Sequence, residues 1–393
     1  MKLAVPGAPH LTYCTNIHAG DTWPEVRANI ARHVPVVKAR VAPDQPFGVG
    51  LRLSASAAAA LAAPAELEAF RALLAAHDLY VFTLNGFPYG AFHGAPVKER
   101  VYRPDWREDA RLVYTDRLAR ILAALLPLDC EGSISTVPGA YKERISSEED
   151  AAAIAARLAA HVATLHDLRE RCGVTITLAL EPEPCCLLET IAETVAFFED
   201  HVWGRTVPGL DRHTSEEALR RHLGVCFDAC HMAIEYEPPA TALATLAAHG
   251  IRVAKVQVSA GLAATIDGAD DLTALHAFAD DVYLHQVVER SPQGLARYAD
   301  LPAALDAAVR APRRREWRVH FHVPLFRARL GRFASTQSYV RELLGVLRRE
   351  ATTSHLEVET YTWDVLPKEY RREPIADAIA RELAWVVAEM SRA

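Results

Sequence analysis

The chain has no surplus of positive charge: 43 Lys and Arg stand against 50 Asp and Glu, a net charge of -7. A nucleic-acid footprint needs the opposite balance, so no nucleic-acid partner is expected. The single basic cluster, "RAPRRREWR" (Arg310–Arg318), lies between helical and strand-like segments and reads as a solvated connection. Apolar runs long enough to span a bilayer are missing, and the first residues are interrupted by Pro6, Gly7 and Pro9. Neither a membrane anchor nor a secretory leader is expected, and the expectation is a soluble, cytoplasmic protein. Seven cysteines are an odd number and lie scattered through strand-like segments, which suits reduced thiols better than a disulfide framework. Cys226 and Cys230 lack CxxC spacing and read as small packing residues. No GxGxxG follows the first apolar run, which weighs against a doubly wound nucleotide-binding sheet.

What is present is a regular alternation. Eight short apolar runs begin at Leu11, Phe47, Leu79, Gly132, Val174, Gly224, Ile251 and His355, and Ala/Leu-rich amphipathic segments separate them. Start and stop signals frame those segments: Thr22 before Pro24, "SSEED" (Ser146–Asp150) before a run that ends at Gly173, and Asp105 before a run closed by Pro127. Eight β-then-α units predict one (β/α)₈ barrel over residues 1–393. Such barrels need about 250 residues, so the excess has to sit in connections after strands three and seven, the latter an insertion at about 260–316. A ninth apolar run, "WRVHFHVPLF" (Trp317–Phe326), follows that insertion.

In such a barrel the active site forms where the strands end. Strand five ends "ALEPEP", with Glu181 and Glu183 on one face; strand six ends "CFDACH", with Asp228 and His231; strand seven carries Gln257; strand eight carries Glu357 and Glu359. Carboxylates converging from three of these four strands repel one another unless a cation lies between them. Oxygen donors of this kind suit Mn²⁺ or Mg²⁺, and added histidine favours Zn²⁺ or Co²⁺. Alternation also puts His320 and His322 of "VHFHV" on one face, as further metal ligands or as packing or substrate contacts. The loop "LNGFPYGAFHG" after strand three offers Asn85, Phe87, Tyr89 and His93 to a sugar, and His18, Thr136 and Lys142 follow strands one and four.

The segments "LEP", "FDACHMAIE", "VQVS" and "VET" together resemble the metal-site pattern of xylose-isomerase-like barrels, a superfamily of ketose epimerases, isomerases, dehydratases and abasic-site endonucleases. "LTYCTNIHAGDTW", "LEPEPCCLLET" and "HFHVPLF" further resemble the EboE metabolite-traffic family. The resemblance implies one divalent metal held by Glu181, Asp228, Gln257 and Glu359, with Glu181 and Glu359 as acid and base. It favours these two over Glu183 and Glu357, which with Asn85 and His93 are left as substrate contacts, while His231 is left as a further metal ligand or a substrate contact. Gln257 stands where most relatives carry histidine. The endonucleases' histidines of strands two and three have no counterpart in "GLRLS" or "FTLNG", so a DNA-cleaving site is not expected. The resemblance thus implies a sugar or sugar-like substrate and isomerisation or epimerisation through an enediolate. Metal-dependent hydrolysis or dehydration, and a non-catalytic metabolite carrier, stand as alternatives.

Overall fold

The structure, a computed structural model, describes residues 1–94 and 96–392. Seven strands come first: β1 (His10–Tyr13), β2 (Phe47–Arg52), β3 (Leu79–Asn85), β4 (Gly132–Thr136), β5 (Ile176–Leu180), β6 (Leu223–Asp228) and β7 (Arg252–Val258). Six more, β8 (Leu262–Ile266), β9 (Val287–Ser291), β10 (Gly294–Tyr298), β11 (Arg315–Val319), β12 (Arg329–Leu330) and β13 (Phe333–Ser335), precede β14 (His355–Val358).

The first seven and β14 form one parallel sheet in the order β1-β14-β7-β6-β5-β4-β3-β2. A bridge between Cys14 and Gly50 brings its edges together. Thr12 reinforces that seam, its hydroxyl donating to Gly48 O at 2.7 Å and accepting from Gly50 N at 3.1 Å. The result is the (β/α)₈ barrel. Its strands are buried on both faces, which explains their unbroken apolar character. Gly50 is glycine for lack of room: a Cβ there would stand 1.9 Å from the Glu357 carboxylate and 2.5 Å from Tyr13 O.

Most of the expected helix signals operate. Thr22 and Glu25 form a capping box with Pro24 in the first turn of the helix Trp23–Val41. The helix Glu148–Cys172 stops at Gly173, whose φ of +71° terminates it in the left-handed conformation. Asp105 does not cap its helix, which starts at Asp109 behind Glu108. It is buried and ion-paired with Arg107 and Arg144 instead.

The long insertion builds an antiparallel second sheet, order β10-β9-β11-β8-β13-β12, which runs past residue 316 to Ser335. The ninth apolar run therefore divides: its first residues complete β11, and His320 and His322 lie in the extended segment that leaves the strand. Among the described residues, no helix is long and apolar enough to cross a membrane.

Candidate metal centre

Asp228 is the last residue of β6 and the N-cap of the short helix Ala229–Ile234. Its Oδ1 accepts from Cys230 N at 2.7 Å, His231 N at 3.0 Å and the Ser259 hydroxyl at 2.7 Å. Its Oδ2 has no partner. One oxygen thus fixes the turn, and the other is left aimed at the barrel axis.

Two further carboxylates meet it there. Glu181, just after β5, Asp228 and Glu359, just after β14, each bring a carboxylate oxygen within 4.8 Å of the others, and all three residues are buried. Asn16 and Asn85 donate to Glu359 Oε1 at 2.8 and 2.9 Å, while Glu181 Oε2 is unpaired. Burial foremost, and then the charge of the neighbouring acids, pushes both Glu181 and Glu359 well above the usual carboxylate range. Gln257 sits beside Asp228 in the β6–β7 register, is fully buried, and has no partner for either amide atom. A buried amide without partners costs about 1–3 kcal/mol. Glu181 and Asp228 thus offer unpaired oxygens beside Glu359, with the Gln257 amide next to Asp228 in the register, and a hard divalent cation fits donors of this kind.

The structure separates the paired acids that alternation alone left open. Glu357 is not among the residues that line the cavity; with both side chains fully buried, its Oε2 accepts from Lys255 Nζ at 2.5 Å, and its Oε1 is unpaired. The reading of Glu357 as a substrate contact is corrected accordingly. Glu183 lines the cavity, and its Oε1 accepts from the Tyr102 hydroxyl at 2.7 Å and from Gln286 Nε2 at 3.2 Å.

A second cluster adjoins the first. His231, His320 and His322 converge, with His320 Nε2 at 3.1 Å from His231 Nε2 and 3.3 Å from His322 Nε2. His231 Nδ1 donates to Pro182 O at 2.9 Å and His322 Nδ1 to Glu359 O at 2.8 Å. His320 Nδ1 donates to Gln286 Oε1 at 2.8 Å, an orientation fixed by Gln286 Nε2 facing Tyr102, Glu183 and Pro184 O. These partners assign each Nδ1 its hydrogen and leave each Nε2 a bare lone pair. Burial holds His322 at about 4 and His320 well below the imidazole range. Asp228 belongs to both clusters, its Oδ2 at 4.0 Å from His231 Nε2. Cys230, read as a packing residue, also lies within ligand distance of His320 and His322.

Other expected contacts fall elsewhere. His93 lines an adjoining surface pocket with Tyr89, Arg100 and Arg103, not the cavity over the carboxylates. Asn85 lines the cavity, but its amide is committed to Glu359 and, through Oδ1, to Phe87 N. His18 is bonded to the Tyr13 hydroxyl and stacked on His33; Thr136 accepts from the Trp106 indole; Lys142 pairs with Glu189 and Glu193. The sequence reading missed Asn16, two residues short of His18, and Gln286, inside the long insertion.

The family model of xylose isomerase-like TIM barrels matches residues 48–277, more than half of the chain. No curated protein matches. Among solved structures, a xylose isomerase-like TIM barrel protein from Mycobacterium smegmatis in complex with magnesium is 10% identical, with 98% of this chain and 97% of that chain covered and a TM-score of 0.51. A D-tagatose 3-epimerase-like protein is 14% identical over 97% and 98%, with a TM-score of 0.48. The IolI protein with a bound zinc atom is 12% identical over 97% of each chain, with a TM-score of 0.46. These structural likenesses concern the fold, and it is the family match that decides membership: the chain belongs to the xylose isomerase-like TIM barrel family.

Proposed function

We propose that the protein is a divalent-metal-dependent isomerase or epimerase of a sugar-like metabolite, working by proton transfer through an enediolate. The observation that carries this reading is the meeting of the Glu181, Asp228 and Glu359 carboxylates at one buried point, with unpaired oxygens on Glu181 and Asp228 and the unpartnered Gln257 amide next to Asp228 in the strand register. These four residues would hold the ion, Mn²⁺ or Mg²⁺ by the hardness of the donors, with Zn²⁺ or Co²⁺ as the softer choice. Bound there, a divalent cation supplies Lewis acidity to a hydroxy-carbonyl group and raises the acidity of the adjacent C–H.

The chain's own residues do the rest. Glu181 and Glu359 enter from β5 and β14, well separated in the sheet order, and the cavity lies above both. One carboxylate takes the proton from carbon and the other returns a proton to the enediolate. Asn16 and Asn85 hold Glu359 in place from one side, and Ser259 with the helix N-terminus holds Asp228. His231 lines the cavity beside Glu183, and without a second cation its Nε2 is free to orient a substrate hydroxyl.

The histidine cluster favours a second cation, bound by His231, His320 and His322 with Asp228 between the two positions. Each imidazole is oriented through its Nδ1 hydrogen bond, the arrangement found in metal-binding histidines. Two adjacent cations are also the equipment of metal-dependent hydrolases, and this is the observation behind the competing hydrolytic reading.

Solvent deuterium separates the two. Metal-loaded protein incubated in D₂O with a panel of ketoses and hydroxy-ketones is expected to place deuterium on the carbon next to the carbonyl. Turnover without incorporation, or no incorporation from any member of the panel, contradicts the proton-transfer reading.

A further inference from the structure

The cavity over the carboxylates is polar only at its floor. We infer that the substrate is amphipathic: a hydroxy-carbonyl or vicinal-diol head that reaches the floor, carried on an apolar tail of several carbons. The head rests on the reading proposed above; the tail rests on the walls.

Those walls are Phe87, Phe92, Val97, Val101, Tyr283 and Leu284. Phe92, Tyr283 and Tyr361 form a three-ring cluster with centroids 5.1, 5.3 and 5.0 Å apart. The hydroxyl of Tyr102 turns towards Glu183 at 2.7 Å, and that of Tyr361 towards His320 Nε2 at 3.5 Å. Ring faces and aliphatic side chains therefore form the upper cavity, and the polar tips of these tyrosines belong to the floor. Lys98 also lines the cavity, but its ammonium is committed to Asp300 Oδ2 at 2.7 Å and to Asp280 O at 2.9 Å.

Two separate parts of the chain build this collar together. Val97 N and Lys98 N, from the connection after β3, both donate to Val282 O of the long insertion, at 2.7 and 3.0 Å. The extra length of this chain thus produces an apolar sleeve above a polar floor. A free hexose carries hydroxyls along its whole length, and each one left unpaired against such walls loses binding. A methylene in the same place gains it, about three- to fourfold in affinity per carbon, from about 0.8 kcal/mol for each one buried.

The test is calorimetric titration of the manganese-loaded protein with 1-hydroxyalkan-2-ones of four, six and eight carbons, and in parallel with D-fructose and D-tagatose. The expected result is an affinity that rises about three- to fourfold per added methylene, an eight-carbon compound that outcompetes both ketohexoses, and a shallower slope in Leu284→Ser. Affinity independent of chain length, tighter binding of a ketohexose, or no binding by any hydroxy-ketone overturns the proposal. Deuterium incorporation into the same compounds reports the reaction separately. Chain-length-dependent binding without incorporation keeps the substrate class and removes the isomerase reading, whereas incorporation from the ketohexoses alone does the converse.

Discussion

The Nε2 atoms of His231 and His320 lie 3.1 Å apart, and each ring has already donated its Nδ1 hydrogen to an oxygen. With neutral rings two lone pairs face one another, an arrangement that a cation between them would satisfy. If it is a metal site, His320→Ala removes one equivalent of bound Zn²⁺ and leaves the ion held by Glu181, Asp228, Gln257 and Glu359 in place. Metal content by plasma mass spectrometry checks this; an unchanged zinc content in the variant contradicts it.

Asp228 divides its two oxygens between a structural and a chemical task. Asp228→Asn keeps the Oδ1 cap and replaces the free oxygen by an amide nitrogen, so metal is lost while stability in EDTA changes by less than about 1 kcal/mol. Asp228→Ala loses the cap as well, at a further cost of about 0.5–2 kcal/mol. Metal titration alongside urea unfolding distinguishes the two variants.

Gln257 supplies a neutral, hard donor where most relatives offer imidazole. Gln257→His is expected to shift preference from Mn²⁺ or Mg²⁺ towards Zn²⁺ or Co²⁺, by about tenfold or more in relative affinity. Competition titration with a chromophoric chelator reads the change, and an unaltered preference means that Gln257 is not a ligand.

Lys255 and Glu357 form a fully buried ion pair under the floor. Lys255→Met leaves an uncompensated carboxylate and is expected to cost about 3–5 kcal/mol, whereas the double variant Lys255→Met, Glu357→Leu recovers most of the loss. Chemical denaturation of both variants tests this pairing independently of any activity.

Glu382 gives a pH signature. It is buried and accepts from Leu325 N at 3.0 Å and the Thr360 hydroxyl at 2.7 Å, and burial raises its carboxyl to about 7 from the usual 4.5. The folded state therefore binds its proton more tightly than the unfolded one, so stability falls as pH rises from about 4.5 to about 7 and is level above that. Glu382→Gln keeps the neutral form at every pH. Its stability is expected to exceed that of the parent by up to about 3 kcal/mol at pH 8 and to match it near pH 4.5. A gap that does not change with pH contradicts the assignment.

The barrel was legible because each of its strands is buried on both faces and several helices carry their own start and stop signals, as at Thr22, Pro24 and Gly173. The carboxylates were legible because strand ends face the pocket whatever the details of packing. Alternation could not separate Glu357 from Glu359, since both point towards the axis at different depths; Lys255, one turn of the pleat below Gln257, claims the deeper one. Asn16, Gln286 and the tyrosines of the collar were out of reach for another reason. Their places depend on how the connection after β3 and the second sheet fold over the rim, and those long-range contacts leave no period in the sequence.

Metal analysis bears most directly on the central claim. Protein purified without chelator, or stripped and titrated with Mn²⁺ and Zn²⁺, is expected to hold at least one divalent ion per chain, and Asp228→Asn is expected to hold none at the carboxylate position. A parent protein that carries no ion and takes none up on titration would contradict the account.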